Sequence, residues 1–262
     1  MPEPFARKKV TVIREGTRRV SDDTVVVEAP LEIYLNRQKL VTLLCTPEKR
    51  ESLALGFLRS GGLIRSLDEV EKVCLAREGE AVEIELKGRD APAEPLRSGR
   101  IITSGGIGGT ALLNSREARH LPPVPADGFT INAAVISALM RDLQERALIF
   151  RATGGMHSAA LADREGLIIF YEDIGRHNAV DKIVGESLLR GISLKEKILL
   201  CSGRLGSEIL LKAAQLQLPL LISRAAPTTL SIELAEALNI TLIGFVREGR
   251  MNIYSHPHRV RE

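Results

Sequence analysis

The sequence predicts an α/β protein: a mixed, largely parallel sheet between helices, preceded by a small α+β unit. Three observations carry this. From about residue 129, apolar runs without internal alternation ("KILLCSG", "LPLLISR", "ITLIGFVR") alternate with helical segments, the pattern of βαβ units covered on both faces. Residues 1–100 instead hold a β-rich stretch with alternating Leu31, Ile33 and Leu35, and one strong helix. Between the two, "RDAPAEPLRSGR" (89–100) is polar and carries prolines, as a linker does. The expected division is a small N-terminal unit over 1–100, a Gly-rich loop and linker over 101–128, and an α/β domain over 129–262.

In the first unit, 24–36 reads as one β-rich stretch. A helix over 46–62 opens on cap-like Thr46 and Pro47, ends at Gly61, and turns Leu53, Leu55, Phe57 and Leu58 inward. Residues 70–88 read as two strands around a turn near Glu78–Glu80. In the second unit, 130–147 is a helix with Val135, Leu139 and Leu143 on one face. Strands over 157–162 and 166–173 follow, then a helix over 177–191 with Val180, Ile183, Val184 and Leu188 on one side. Strands at 197–203, 218–224 and 240–247 alternate with helices at 206–217 and 227–239, and 250–255 is a last strand.

Composition narrows the function classes. The 262 residues carry 36 Lys and Arg against 33 Asp and Glu, a net charge of +3, which gives no bulk attraction to nucleic acid or an anionic membrane. Aromatics are 3% and Trp is absent, so base-stacking platforms are scarce. No apolar run reaches membrane-spanning length and the N-terminus lacks a signal core, so a cytoplasmic location is expected. The three cysteines, Cys45, Cys74 and Cys201, form neither a disulfide framework nor a CxxC pair, and no metal site is expected. A zinc deaminase needs His-x-Glu and a distant Cys-x-x-Cys. Here the residue two after His157 is Ala159.

In open α/β sheets ligands bind at the carboxyl ends of the strands. The polar residues there are Glu172, Asp173, Ser202, Arg204, Ser223, Arg224 and Arg247. In "EDIGRHNAVDK" (172–182), Asn178 is a candidate cap. Arg176 and His177 would then face an anion at a helix N-terminus, or Asp173, Arg176 and Asp181 would form an internal ion-pair network. Ser202 and Arg204 sit in a strand-turn-helix that suits phosphate. Pro227 fits a first helical position, with Thr228 or Thr229 near the helix start. Arg247 and Arg250 flank a tight turn, either gripping a phosphate or guanine edge or capping a solvated hairpin. His157, alone after a Gly pair, reads as a structural hydrogen-bonder. Cys45 and Cys201 read as small core residues.

Taken in order, "EAPLEIYLN", "CTPEKRESLALGFL", "TGGMHSAAL", "EDIGRHNAVDKIVG", "SGRLGSEILLKAA", "SRAAPTTLSIELA" and "GFVREGRMNIYSHPHR" resemble the FdhD family of formate dehydrogenase accessory proteins, from about residue 28 to 259. The resemblance implies a larger domain similar to the cytidine deaminase-like fold, without its zinc site, and a cytosolic homodimer. It implies sulfur transfer from a cysteine desulfurase to the molybdenum cofactor, bis(molybdopterin guanine dinucleotide), of formate dehydrogenase or a similar molybdoenzyme. A GDP-like nucleotide is a possible ligand on the same grounds. The family's cofactor-contacting segment matches Phe245, Val246, Arg247, Glu248, Gly249 and Arg250, and Arg176, His177, Ser202, Arg204 and Ser223 join it from the strand-end reading. The departure is "TSGGIGGT" (103–110). The family's CGxCG cysteines fall on Gly105 and Gly108, so no persulfide thiol is retained there, and Cys201 is the fallback.

Overall fold

The structure is a computed structural model that describes residues 3–88, 121–125 and 128–262, with the backbone alone of 101–102. The linker over 89–100 and the loop carrying Gly105 and Gly108 lie outside the described residues. The chain opens with a hairpin that sequence reasoning did not find, β1 (Phe5–Arg14) and β2 (Thr17–Val26), paired over their full length. Glu15 and Gly16 join them with φ 51° and 78°. Two consecutive positive φ values match the right-handed twist of paired strands. The β-rich stretch over 24–36 therefore divides between two strands: β2 ends at Val26, and β3 (Ala29–Leu35) starts a different sheet.

That sheet has the order β5-β6-β3-β4-β7, with β4 (Gln38–Cys45), β5 (Val70–Ala76), β6 (Ala81–Leu86) and β7 (Ile101–Ile102). Leu31, Ile33 and Leu35 are buried as their alternation predicts. They pack against α1 (Arg50–Ser60) through Leu53, Leu55, Phe57 and Leu58. The helix starts later than expected. Lys49 is its N-cap, without a side-chain cap bond, because Thr46 is engaged elsewhere.

The second sheet has the order β10-β9-β11-β12-β13-β14. Its strands are β9 (His157–Ala162), β10 (Leu167–Asp173), β11 (Ile198–Cys201), β12 (Leu220–Ser223), β13 (Thr241–Arg247) and β14 (Arg250–Ile253). The sheet is mixed, but not largely parallel as expected. Only β11–β12 and β12–β13 run parallel. The β9–β10 and β13–β14 connections are too short for a crossover, so those pairs are antiparallel. A short parallel pair of β8 (Ile131–Asn132) and β15 (Val260–Arg261) stands apart.

Both faces of this sheet are covered. Leu199, Cys201 and Leu221 point to one side, toward α4 (Arg176–Leu189), α5 (Ser207–Gln215) and α6 (Thr229–Ala237). Ile198, Leu200, Leu220 and Ile222 point to the other, toward α2 (Ala133–Arg146). A short α3 (Leu148–Thr153) follows α2. Helix α4 has no solvent side over most of its length, because α1 covers the face opposite the sheet, and residues 177–187 are all buried. The two helices meet backbone to backbone. A Cβ on Gly56 would lie 1.8 Å from the Asp181 carbonyl oxygen, and one on Gly185 1.8 Å from that of Ser52. Only glycine permits this approach.

Candidate functional site

The densest polar stretch of the sequence, 172–182, turns out to hold the molecule together. The Asp173 carboxylate is fully buried and fully occupied. Its Oδ2 accepts from the Thr46 amide (3.1 Å) and hydroxyl (2.9 Å) and pairs with Lys182 Nζ (2.7 Å). Its Oδ1 accepts from the Gly175 amide and from Asn178 Nδ2, both at 2.9 Å. Asn178 is thus no helix cap; Gly175 takes that position, and the amide of Asn178 also donates to the Leu44 carbonyl. Asp181 pairs with Lys212 at 2.5 Å to each oxygen, both side chains buried. The internal network anticipated for Asp173 and Asp181 exists, but its cations are lysines from α4 and α5 rather than Arg176. Fully satisfied buried ion pairs like these fix a packing; they do not present a ligand site.

His177 is likewise inside. Its Nε2 is 3.2 Å from Glu208 Oε2 but is not aligned for a hydrogen bond, and burial, with Lys212 and Arg176 nearby, pushes the imidazole down to about 3. It is a neutral core residue, not an anion binder. Arg176 lies against the Gly203 turn, where a Cβ would meet its Cβ and Cδ at 3.2 Å. Ser223 is buried and ties two βα turns together: its Oγ donates to the Gly203 carbonyl (2.7 Å) and accepts from the Ala225 amide (3.0 Å). Arg204 is exposed outside the cleft described next. Thr228, not Pro227, starts α6, in a reciprocal cap with Ser231.

The opening at the strand ends is a cleft of about 760 Å³ continuous with a second hollow of about 460 Å³, the two sharing Gln144, Arg224 and Arg247. Apolar wall comes from Leu143 and Phe150 on α2 and α3, while Arg151, Arg224 and Arg247 bring positive charge. Of the residues expected here from sequence, Ser202, Arg224 and Arg247 line the cleft, and Arg224, Val246, Arg247, Glu248 and Gly249 line the adjoining hollow. Gln144, Arg151 and Arg141 were missed. Arg141 and Gln144 share a helix face with Ser137, at spacings of four and seven, and that polar face was the available signal.

Two local devices shape the cleft. Glu172 accepts from the amides of Ile149 (3.0 Å) and Phe150 (2.8 Å), fixing the start of α3 and hence one wall; burial pushes its carboxyl up. Opposite, β13 carries a bulge: Gly244 pairs with Asn252 and Arg247 with Arg250, so Phe245 and Val246 together face one partner position. Phe245 sits at φ 54°, a left-handed conformation that costs a bulky residue about 1–3 kcal/mol. The bulge buries Val246 completely and sends Arg247 into the cleft. Gly244 lets the strand pass close to Ala225, since a Cβ there would lie 3.0 Å from its carbonyl oxygen.

At the cleft floor, Ser202 Oγ accepts from the Ser158 amide (2.9 Å) and lies 3.4 Å from His157 Nδ1. Neighbouring Cys201 faces away from the cleft. It is buried in the core against α4 to α6, and burial pushes its thiol up to about 12. A buried neutral thiol is a poor nucleophile, which counts against it as the fallback persulfide carrier. Cys45 is pushed up to about 12 in the same way. Among the described residues, no cluster of three or more His, Cys, Asp or Glu is placed to hold a metal, and no helix is long and apolar enough to cross a membrane.

Comparison with known proteins gives one answer. The family model described as FdhD/NarQ family matches residues 26–261. The protein named Sulfur carrier protein FdhD of Bacillus subtilis (strain 168) is 40% identical over 260 residues, covering 97% of this chain and 99% of that protein. Its namesake in Bacillus pumilus (strain SAFR-032) is 39% identical over 266 residues, covering 99% of each. A crystal structure of a protein described as a formate dehydrogenase accessory protein from Desulfotalea psychrophila superposes with a TM-score of 0.81 at 26% identity, over 99% of this chain and 100% of that one. The chain belongs to the FdhD/NarQ family.

Proposed function

We propose that this protein is a sulfur carrier in formate dehydrogenase maturation that seats a nucleotide-bearing molybdenum cofactor, as cargo, in the double cleft at the strand ends. The single observation that carries the reading is the pair Arg224 and Arg247. They stand where the two hollows join, half-buried and exposed respectively, and among the described residues neither is held in an ion pair. Arginine forks match phosphate oxygens bidentately, and apolar walls suit flat rings, so the lining fits a ligand such as bis(molybdopterin guanine dinucleotide) or GDP. The cargo would supply the metal at which sulfur is received. The chain's own residues bind and orient it, and the Phe245 bulge sets the direction of Arg247. The strand order, with parallel β11, β12 and β13 flanked by antiparallel β9, β10 and β14, supports a relation to the cytidine deaminase-like fold.

The partners follow from the same reading: formate dehydrogenase or a similar molybdoenzyme as recipient, a cysteine desulfurase as donor, and a homodimer in the cytoplasm. Titration with GDP tests the site; saturable binding that is weakened in Arg247→Ala is expected, and no binding overturns it. Incubation with a desulfurase and cysteine, followed by mass measurement, tests the sulfur step. Gly105 and Gly108 favour a second reading, a cofactor-binding paralogue without transfer activity. A protein that binds GDP yet gains no sulfur adduct would establish that alternative.

A further inference from the structure

His157 has a placement that its sequence context did not suggest. It opens β9 and lines the cleft beside Ser202 and Ser158. The ends of β9 and β11 are locked together: the Ser202 amide donates to the Ser158 carbonyl (2.9 Å), and the Ser158 amide donates to Ser202 Oγ (2.9 Å). The serine oxygen is therefore fixed by backbone, with one lone pair and its own O–H free to meet His157 Nδ1 at 3.4 Å, in the sense that the ring's tautomer decides. Hydrogen bonds at functional sites are often this long before a ligand binds. The other ring nitrogen, Nε2, has no partner among the described residues and is not sealed in the interior.

We propose that His157, held by Ser202, is the base of the cleft, and that it takes the S–H proton of a hydropersulfide delivered there. The hydrogen bond at one ring nitrogen sets the tautomer. Ser202 Oγ accepts from Nδ1–H in both the neutral and the protonated imidazole, so proton uptake at Nε2 needs no rearrangement. In the step, the S–H bond breaks, its electron pair stays on the outer sulfur as the perthiolate, and an Nε2–H bond forms. The imidazolium returns the proton to the thiolate left behind once the outer sulfur has gone to a nucleophilic acceptor. No oxidant or reductant is consumed.

The surroundings keep the ring neutral and ready. Burial lowers its proton affinity first, Arg176 on α4 adds to this, and Asp173, opposite His157 across the β9–β10 ladder, opposes it weakly while neutralised by Lys182. The cleft arginines Arg151, Arg224 and Arg247 are further positive charges on the walls. The base itself rests on this geometry; the identity of the proton donor rests on the sulfur-carrier reading.

Two measurements on the full chain test it separately. Nitrogen-15 NMR of the imidazoles, with His157 assigned by His157→Gln, is expected to show the Nδ1–H tautomer titrating below about 6.5. Ser202→Ala is expected to shift it toward Nε2–H. An Nε2–H tautomer in the unaltered protein overturns the base. With glutathione hydropersulfide as the probe and cyanide as acceptor, thiocyanate formation above the uncatalysed rate is expected to follow the His157 titration. His157→Gln is expected to lose about a hundredfold and the pH inflection with it. A variant with the unaltered rate and profile overturns the proposal. If the unaltered protein gives no rate above background while the Nδ1–H tautomer stands, the sulfur-carrier reading falls, and the assigned proton donor with it.

Discussion

At the seam between α1 and α4, charged groups are sealed from water and every carboxylate oxygen of Asp173 has a partner. At the cleft, Arg224 and Arg247 are open, Phe245 is strained, and Nε2 of His157 is unpaired among the described residues. Both regions draw on motifs with the same look in sequence, dense in Arg, His, Asp and Gly. The difference shows how charge can serve two purposes. A desolvated ion pair is strongly costly to break and so fixes one packing, whereas an open charge keeps its binding capacity for a ligand.

Breaking the seam should give the largest effects. Lys182→Met strands the buried Asp173 carboxylate, and a loss of about 3–5 kcal/mol is expected in urea unfolding. Gly185→Ala puts a methyl group 1.8 Å from the Ser52 carbonyl oxygen, and Gly56→Ala does the same at Asp181. About 3 kcal/mol each, the upper end of overpacking costs, is expected, with α1 and α4 forced apart. None of these three residues lines the cleft, so GDP binding should survive at temperatures where the variants remain folded.

His177 sharpens the contrast through pH. Its imidazole titrates near about 3 in the folded chain against about 6.5 when unfolded, so the unfolded state takes up the proton first. Stability is full above about pH 6.5 and falls as the pH drops toward 3, by at most about 1.4 kcal/mol per unit. His177→Gln should flatten that slope in melts between pH 7 and 5. At the cleft, Arg247→Ala should weaken GDP binding about tenfold or more and leave the melting temperature unchanged, because among the described residues nothing pairs with that exposed side chain. Gly244→Ala, meeting the Ala225 carbonyl at 3.0 Å, should cost only about 1 kcal/mol yet weaken GDP binding by shifting the bulge. If it destabilised as severely as Gly185→Ala, the division between structural seam and working cleft would not hold.

Much of the architecture was legible in the residues. The helix over 133–146 and the strands at 157–162 and 167–173 fall where periodicity places them, because a sheet covered on both faces leaves uninterrupted apolar runs. The β1–β2 hairpin escaped because its strands are mostly exposed and so carry little hydrophobic alternation. In the site, Ser202, Arg224 and Arg247 were legible as strand-end residues. Gln144 and Arg151 were not, since α2 and α3, which come before the sheet in the chain, bring them to the strand ends. His157 was read as structural, because nothing in "TGGMHSAAL" reveals that Ser202, 45 residues later, lies beside it.

By itself the sequence determined the class of fold, the family resemblance, and the absence of a thiol at residues 105 and 108. These depend on local pattern and residue identity. The tertiary structure decided which polar residues work and which merely hold. Asp173, His177 and Ser223 are buried by elements far away in the chain, while a one-residue bulge turns Arg247 outward. Burial and direction are properties of packing, and packing is set by contacts between segments that sequence spacing does not order.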